Sequence, residues 1–273
     1  SGLSVGGSVA YGSQQQFMTR SSEAKGGFQD PVWNGVFVGN GGQPEGRCGG
    51  DGGGHIAVSD IGRIAEKPYV VSDEKGEVFT LIIPDLQDSP AAGVPYDESG
   101  MKGGVQEVDF SSVYVTQVED GSKEINSALS QGLHVVVSPG IYELDDTLVV
   151  EGEGQVVLGL GLATLIAPPS GGPCVAAKGT NARVAGLLLE AGPYSSSSLL
   201  SVSGFDVVVT DVFARVGGPT TGVGPVGSMF DVRGDRAIID NTWLWRADHA
   251  EGDDGEDELV ANGDNACTNG MVV

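Results

Sequence analysis

The chain has 273 residues, 45 of them glycine, with 40% hydrophobic and 6% aromatic residues, a formal charge of −23 and a pI near 4.2. So acidic a chain, with no Lys/Arg cluster, repels phosphate and anionic lipid, which argues against direct nucleic-acid binding and membrane attachment. Its Val/Leu/Ile runs set it apart from disordered acidic chains, and none approaches the roughly 18 apolar residues of a membrane-spanning helix.

Residues 1 to 121 are turn-rich and show no repeat. The N-terminal "SGLSVGGSVAYG" lacks the basic and apolar parts of a signal peptide, so a secretion signal, had there been one, is already removed. Strand-like runs are "VWNGVFVG", "KPYVVSD" and "EVFTLIIPDL", and "GNGGQPEGRCGGDGGGH" reads as a low-complexity loop. We expect this half, 1–121, to be an extended region packed along the second half rather than an independent domain. Cys48, Cys174 and Cys267 form an odd set with no CxxC and no histidine at ligand spacing. No metal and no cofactor are expected, and any disulfide pairing stays open.

From residue 122 the pattern changes. "GSKEINSALSQG" predicts a short helix with Ser122 as N-cap and Ile125, Ala128 and Leu129 on one face, placed where an open stack of coils needs a lid. "GLHVVVSPGIYEL" from Gly132 then reads as a first coil, followed by four segments that align on a leading glycine: "GQVVLGLGLATLIA" from Gly154, "GTNARVAGLLLEAG" from Gly179, "GFDVVVTDVFARVG" from Gly204 and "GDRAIIDNTWLWRA" from Gly234. Each unit reads as strand, glycine turn, strand and strand, which is one coil of a parallel β-helix. Hairpin signals are scarce and there is no room for βαβ helices. "GLGLAT" imitates a dinucleotide fingerprint, but no helix follows it. "NGMVV" begins a further coil, with Met271 and Val272 expected in the positions of Met229 and Phe230. The β-helix, 122–273, is therefore expected to be cut at its C-terminal end, with its open edge covered by further polypeptide, either a downstream fragment or a neighbouring subunit.

In this register Trp243 shares a column with Ala163, Leu188 and Phe213, and Trp245 with Leu165, Glu190 and Arg215. Charged members place the Trp245 column outside, and alternation then places Leu188, Phe213 and Trp243 outside too. Leu162, Leu187, Val212 and Thr242, with Leu189, Ala214 and Leu244, should point inward. Such an external apolar ladder carries either the N-terminal half or a stacked glycan. Glycoside hydrolysis needs two carboxyl groups roughly 5 to 9.5 Å apart, and Glu190, Asp211, Asp240 and Asp248 stand in neighbouring coils. Asp240, Asp248 and Glu190 are the candidate catalytic acids, although Glu190 beside Arg215 also reads as an ion pair between coils. Trp243, Trp245, Phe213, Arg246 and His249 are the candidate sugar contacts. The acidic loop Glu251 to Glu258 lacks the ligand order of a calcium loop and reads as solvated.

The ordered segments "GSQQQFMTRSS", "VWNGVFVG", "EKPYVVSDEKGEVFTLIIPDL", "INSALSQGLHVVVSPGIYEL", "VVLGLGLATLIAP" and "TWLWRADH" resemble a family of secreted proteins often labelled coagulation-factor-5/8-type or adenylyl-cyclase proteins. That family carries a pectate-lyase-like right-handed β-helix distantly similar to the exo-β-1,3-glucanases of glycoside hydrolase family 55. The loop "AEGDDGEDELVANGDN" departs from the family's uncharged stretch. The resemblance implies an all-β, right-handed parallel β-helix, secreted, that binds or cleaves polysaccharide. The competing expectation is a non-catalytic structural subunit of an extracellular β-helical assembly.

Overall fold

The computed structural model describes residues 1–12, 16–29, 34–46, 54–217, 224–246, 249–251, 257–259 and 267–273. The chain is mostly β and divides into two compact units, residues 1–66 with 84–106 and residues 67–83 with 107–273.

In the first unit, Ser4–Val5 pairs in parallel with Glu23–Ala24, and Gln16–Arg20 with Asn34–Val38, which pairs in turn with His55–Val58. The structure thus has a second, smaller stack of parallel rungs where the sequence shows no repeat. One reason is chemical: along one column the residue changes from Phe17 to Gly35 to His55, although the neighbouring column of Met18, Val36 and Ile56 is apolar throughout. Aromatic edges supply the core instead. Buried Phe37 meets Phe17, Phe28 and His55 edge-on, with centroids 5.5, 5.8 and 5.6 Å away. Arg20 is fixed by a two-pronged contact with Glu66 at 2.8 Å, and the Asn40 carboxamide accepts from the Ser22 N–H while donating to the Thr19 carbonyl.

The second unit contains helix α1, Ser122–Ser130. Its N-cap is Gly121, not the expected Ser122. The Glu124 carboxylate accepts the Gly121 N–H at 3.2 Å, while the Ser122 hydroxyl leaves the helix to donate to the Asp146 carbonyl at 2.7 Å. Ile125, Ala128 and Leu129 are buried in the cluster that fills the coils, so the helix closes one end of the stack.

Three lines of parallel strands build that stack. Val113–Val115, His134–Val137, Val156–Ile166, Arg183–Glu190, Val208–Thr210 and Ile238–Asp240 follow one another along the first line. Ile141–Glu143, the later parts of Val156–Ile166 and Arg183–Glu190, Phe213–Val216 and Trp243–Arg246 form the second. Leu148–Val150, Val175–Ala177, Ser196–Val202, Val226–Val232 and Cys267–Val272 form the third. Inward positions give continuous columns: Tyr142, Leu165, Leu189, Ala214 and Leu244 in one, Leu148, Val175, Leu200, Phe230 and Met271 in another. Each fully buried aliphatic side chain contributes about 1.5–3 kcal/mol. Outward positions Val156, Leu158 and Ala185 are covered by Leu81, Ile83 and Val108 of the same unit. The last rung pairs Met271 with Phe230 and Val272 with Asp231, one position from the expected register.

The glycine row also needs one correction. An added Cβ on Gly179 would strike Gly152, on Gly204 it would strike Gly179, and on Gly234 Gly204, so the stacked row is Gly152, Gly179, Gly204 and Gly234. Gly154 belongs to the adjacent column, with Asn181, Asp206 and Arg236, all at φ between 56° and 63°. In the motif "EGEG" the sequence offered two glycines, and the structure uses both. The offset was masked further on, because three extra residues lie between Leu158 and Ala163 opposite the single Gly186. Leu162, expected inside, therefore sits on an exposed bulge at φ 56°.

Gly204→Ala should lower the urea midpoint by the equivalent of about 3 kcal/mol, because backbone carbonyls cannot yield to the new methyl. Gly154→Ala meets open space and should lose only about 1–2 kcal/mol, from its positive φ. A pH effect follows from His134, whose Nδ1 accepts the Val156 N–H at 3.2 Å and whose pKa burial holds below 6.5. The unfolded chain then binds the proton more readily, so this contribution is present above about pH 6.5 and is lost as pH falls below it. Stability measured against pH should show that slope, and His134→Gln should flatten it.

Candidate functional site

The chain bends between the first and second lines of strands, and the corner residues Leu162, Gly186, Asp211 and Asn241 stack with φ of 56°, 69°, 54° and 49°. Left-handed backbone suits Gly, Asn and Asp, whose short side chains carry little steric cost there. Here the corner also carries polar function. Asp211 accepts from Lys67 Nζ at 2.6 Å and from Asn241 Nδ2 at 2.5 Å. Gly159, Gly161 and Gly186 add no side chains there, and an open groove of about 530 Å³ lies between Lys67, Asp211, Asn241, Phe213, the exposed Leu162 and these glycines.

Past the corner, the outward residues run Ile141, Thr164, Leu188, Phe213, Trp243 and Glu143, Ile166, Glu190, Arg215, Trp245. The upper members match the expected columns, whereas the bulge shifts the lower ones by a residue. Trp243 stands 6.4 Å from Phe213 in a T-shaped contact and 6.4 Å from Trp245. Trp243 and Trp245 are 64% and 46% exposed, so neither belongs to the core of the coils. Glu190 and Arg215 form the ion pair at 2.5 Å, with the carboxylate side chain only 2% exposed.

Asp240 is buried and follows Leu158, Ala185 and Thr210 in an outward column of the first line, on the other side of the Asn241 corner from Trp243. Arg246 is separated from this group. It pairs in register with Val216, a core residue, and therefore lies across the strand from Trp245, close enough to Cys267 to influence its thiol. His249 sits in a short antiparallel pair, His249–Glu251 with Asp257–Leu259, off the parallel stack. Asp248, Cys48 and most of the acidic loop lie outside the described residues. Cys174 and Cys267 are free thiols, the first fully buried, and burial raises the pKa of both. Among the described residues no group of His, Cys, Asp and Glu could hold a metal ion.

Sequence reasoning missed Lys67 and Asn241. Neither belongs to a conspicuous motif, and Lys67 reaches Asp211 across 144 positions of chain. Removing Arg215 by alanine should cost about 3 kcal/mol, because it strips a guanidinium from a buried carboxylate. Trp243→Ala, with most of its ring in solvent, should cost under about 1 kcal/mol. Thermal unfolding of the two variants side by side checks the contrast.

Comparison with known proteins agrees with this architecture. A family model of the LAM55 pectate lyase-like domain matches residues 113–273. An exo-beta-1,3-glucanase of Streptomyces sp. (strain SirexAA-E / ActE) is 33% identical, over 98% of this chain and 45% of its own length. The solved structure of sacteLam55A from Streptomyces sp. SirexAA-E superposes with a TM-score of 0.80 at 31% identity, covering 90% of this chain and 45% of that one. A variant of sacteLam55A in complex with glucose gives 0.84 at 31% identity, covering 98% and 47%. The chain thus spans about half the length of the relatives it matches. With parallel coils, outward aromatic columns and this match over its second half, the chain belongs to the LAM55 pectate lyase-like family.

Proposed function

We propose that this protein is a secreted, carbohydrate-active right-handed parallel β-helix that binds a β-glucan and takes part in its hydrolysis. The observation that carries the reading is the displayed Trp243–Trp245 pair beside a groove lined by Lys67, Asp211 and Asn241. An exposed aromatic face next to convergent polar groups suits a sugar ring, which has an apolar face and a polar rim. The relative's name, exo-beta-1,3-glucanase, and the glucose in the solved variant support a glucan as the ligand. Phe213, Trp243 and Trp245 supply the stacking surface.

Among the acids, Asp240 is the residue we assign to proton transfer, because it is buried and directly precedes the Asn241 corner that lines the groove. Buried carboxyl groups are the ones that enzymes tune as general acids. We keep Asp248 and His249 as candidates that follow Trp245 in the chain. Glu190, held by Arg215, orders the aromatic columns instead.

Incubation with linear β-1,3-glucan and measurement of released reducing ends tests the hydrolytic part. Release should be lost in Asp240→Asn. Trp243→Ala combined with Trp245→Ala should weaken glucan binding about tenfold or more with an unchanged melting temperature. Undiminished binding in that double variant would remove the aromatic face from the site. Filaments in negative-stain micrographs, with no sugar released, would favour the structural role.

A further inference from the structure

A second cavity, of about 370 Å³, lies in the second unit and shares no lining residue with the groove at Lys67. Its floor is apolar, with Ile166 and Ala167 buried and Pro169 and Pro193 beside them. Its polar members are Glu143, Asp145 and Tyr194. Glu143 ends the strand Ile141–Glu143, where alternation sends Tyr142 into the core and leaves the carboxylate exposed. Asp145 accepts the Ser122 N–H at 3.0 Å, and hydrogen bonding from Ser122 holds it below the usual carboxylate range. Backbone contacts fix the opposite wall. An added Cβ on Gly192 would lie 2.8 Å from the Ala167 carbonyl, and the Gly192 carbonyl accepts the Gly224 N–H at 2.8 Å. The chain is thus pinned just before Tyr194, whose side chain lines the cavity in a residue that is 52% exposed.

We propose that this cavity binds a small alkylammonium cation, its hydrocarbon body on Ile166, Pro169 and Pro193 and its charged head among Tyr194, Glu143 and Asp145. Three features converge on that class. An aromatic ring attracts a cation to its face, most strongly where water is partly excluded. Neither carboxylate is ion-paired with Arg or Lys among the described residues, in contrast to Glu190 with Arg215, so both keep lone pairs for ammonium N–H donors. No basic side chain lines the cavity, and a chain of net charge −23 draws cations toward it while repelling anions. Sugar hydroxyls need donors as well as acceptors, and among the lining side chains only the Tyr194 hydroxyl can donate. The site uses none of the residues assigned to glucan, so it stands independently of that reading. The same head group occurs in a free amine and in the lysine side chain of a partner.

The experiment is a ligand-observed NMR titration of the full chain with n-butylammonium, and with 1-butanol and butyrate as uncharged and anionic counterparts of the same body. Butylammonium should bind saturably and more weakly as salt is raised, with butanol at least tenfold weaker and butyrate not bound. Glu143→Gln and Tyr194→Ala should each weaken butylammonium about fivefold or more, and Tyr194→Phe, which keeps the ring, should behave as wild type. Both positions are exposed, so an unchanged melting temperature separates lost binding from lost folding. Asp145 is left intact because it also holds the start of helix α1. Nα-acetyl-lysine amide titrated beside butylammonium distinguishes the two sources: tighter binding of the blocked lysine assigns the cavity to a partner's side chain, tighter binding of the amine to a free cation. Equal affinity for butanol would reduce the cavity to an apolar slot and overturn the proposal. So would wild-type affinity in both Glu143→Gln and Tyr194→Ala, or no binding of either amine.

Discussion

A coil of the second unit has no core of its own. Its inward side chains are covered only when another coil lies directly above or below, so burial demands that apolar residues recur in register from rung to rung. The Leu148 to Met271 and Tyr142 to Leu244 columns are this demand made visible. Parallel backbone bonding fixes the rung spacing, and the glycine row at the turn exists because consecutive turns approach too closely for a β-carbon. Outward positions escape the constraint. That freedom is what allows Leu188, Phe213 and Trp243 to grow in size toward one end of the stack without disturbing Leu187, Leu189 or Ala214 behind them.

Charge is organised by the same geometry. The chain carries 14 basic residues against 37 acidic ones, and several of the basic groups bridge one coil to the next. Arg215 pairs with Glu190, Arg236 with Asp206 and Lys178 with Glu151, each pair roughly one coil apart in sequence. Exposed members of this set contribute little to stability. The buried Glu190 is different, since a desolvated carboxylate needs its guanidinium, and its location under the aromatic columns ties the stability of the coils to the surface proposed for sugar binding.

Where the sequence was legible, the reason was repetition. Glycine turns and alternating apolar residues recur at a nearly constant spacing from Gly179 to Gly234, and they placed Phe213, Trp243 and Trp245 on the outer face. Legibility failed where chemistry broke the period. The bulge between Leu158 and Ala163 shifted the lower rungs, and Arg246 was grouped with its tryptophan neighbours although strand alternation turns it to the other side. One reason the first unit's rungs were missed is that Phe17, Gly35 and His55 share a column without sharing a property. Lys67 and Asn241 were missed for a different reason. Their partner Asp211 is set by tertiary approach, and no local spacing encodes it.

The bulge itself shows what a corner of the stack tolerates. Three additional residues lie between Leu158 and Ala163, yet the strands on either side pair with Arg183 to Ala185 and Leu187 to Glu190. The interval from Gly204 to Gly234 is likewise five residues longer than the one before it, yet Val226–Val232 remains paired with Ser196–Val202. Corners of the coil therefore accept insertions that the columns never register. Selection can lengthen, shorten or recompose a corner loop, and so reshape the groove beside it, as a change nearly independent of folding. In this architecture the shape of a corner can vary while the rungs that hold the coils together stay as they are.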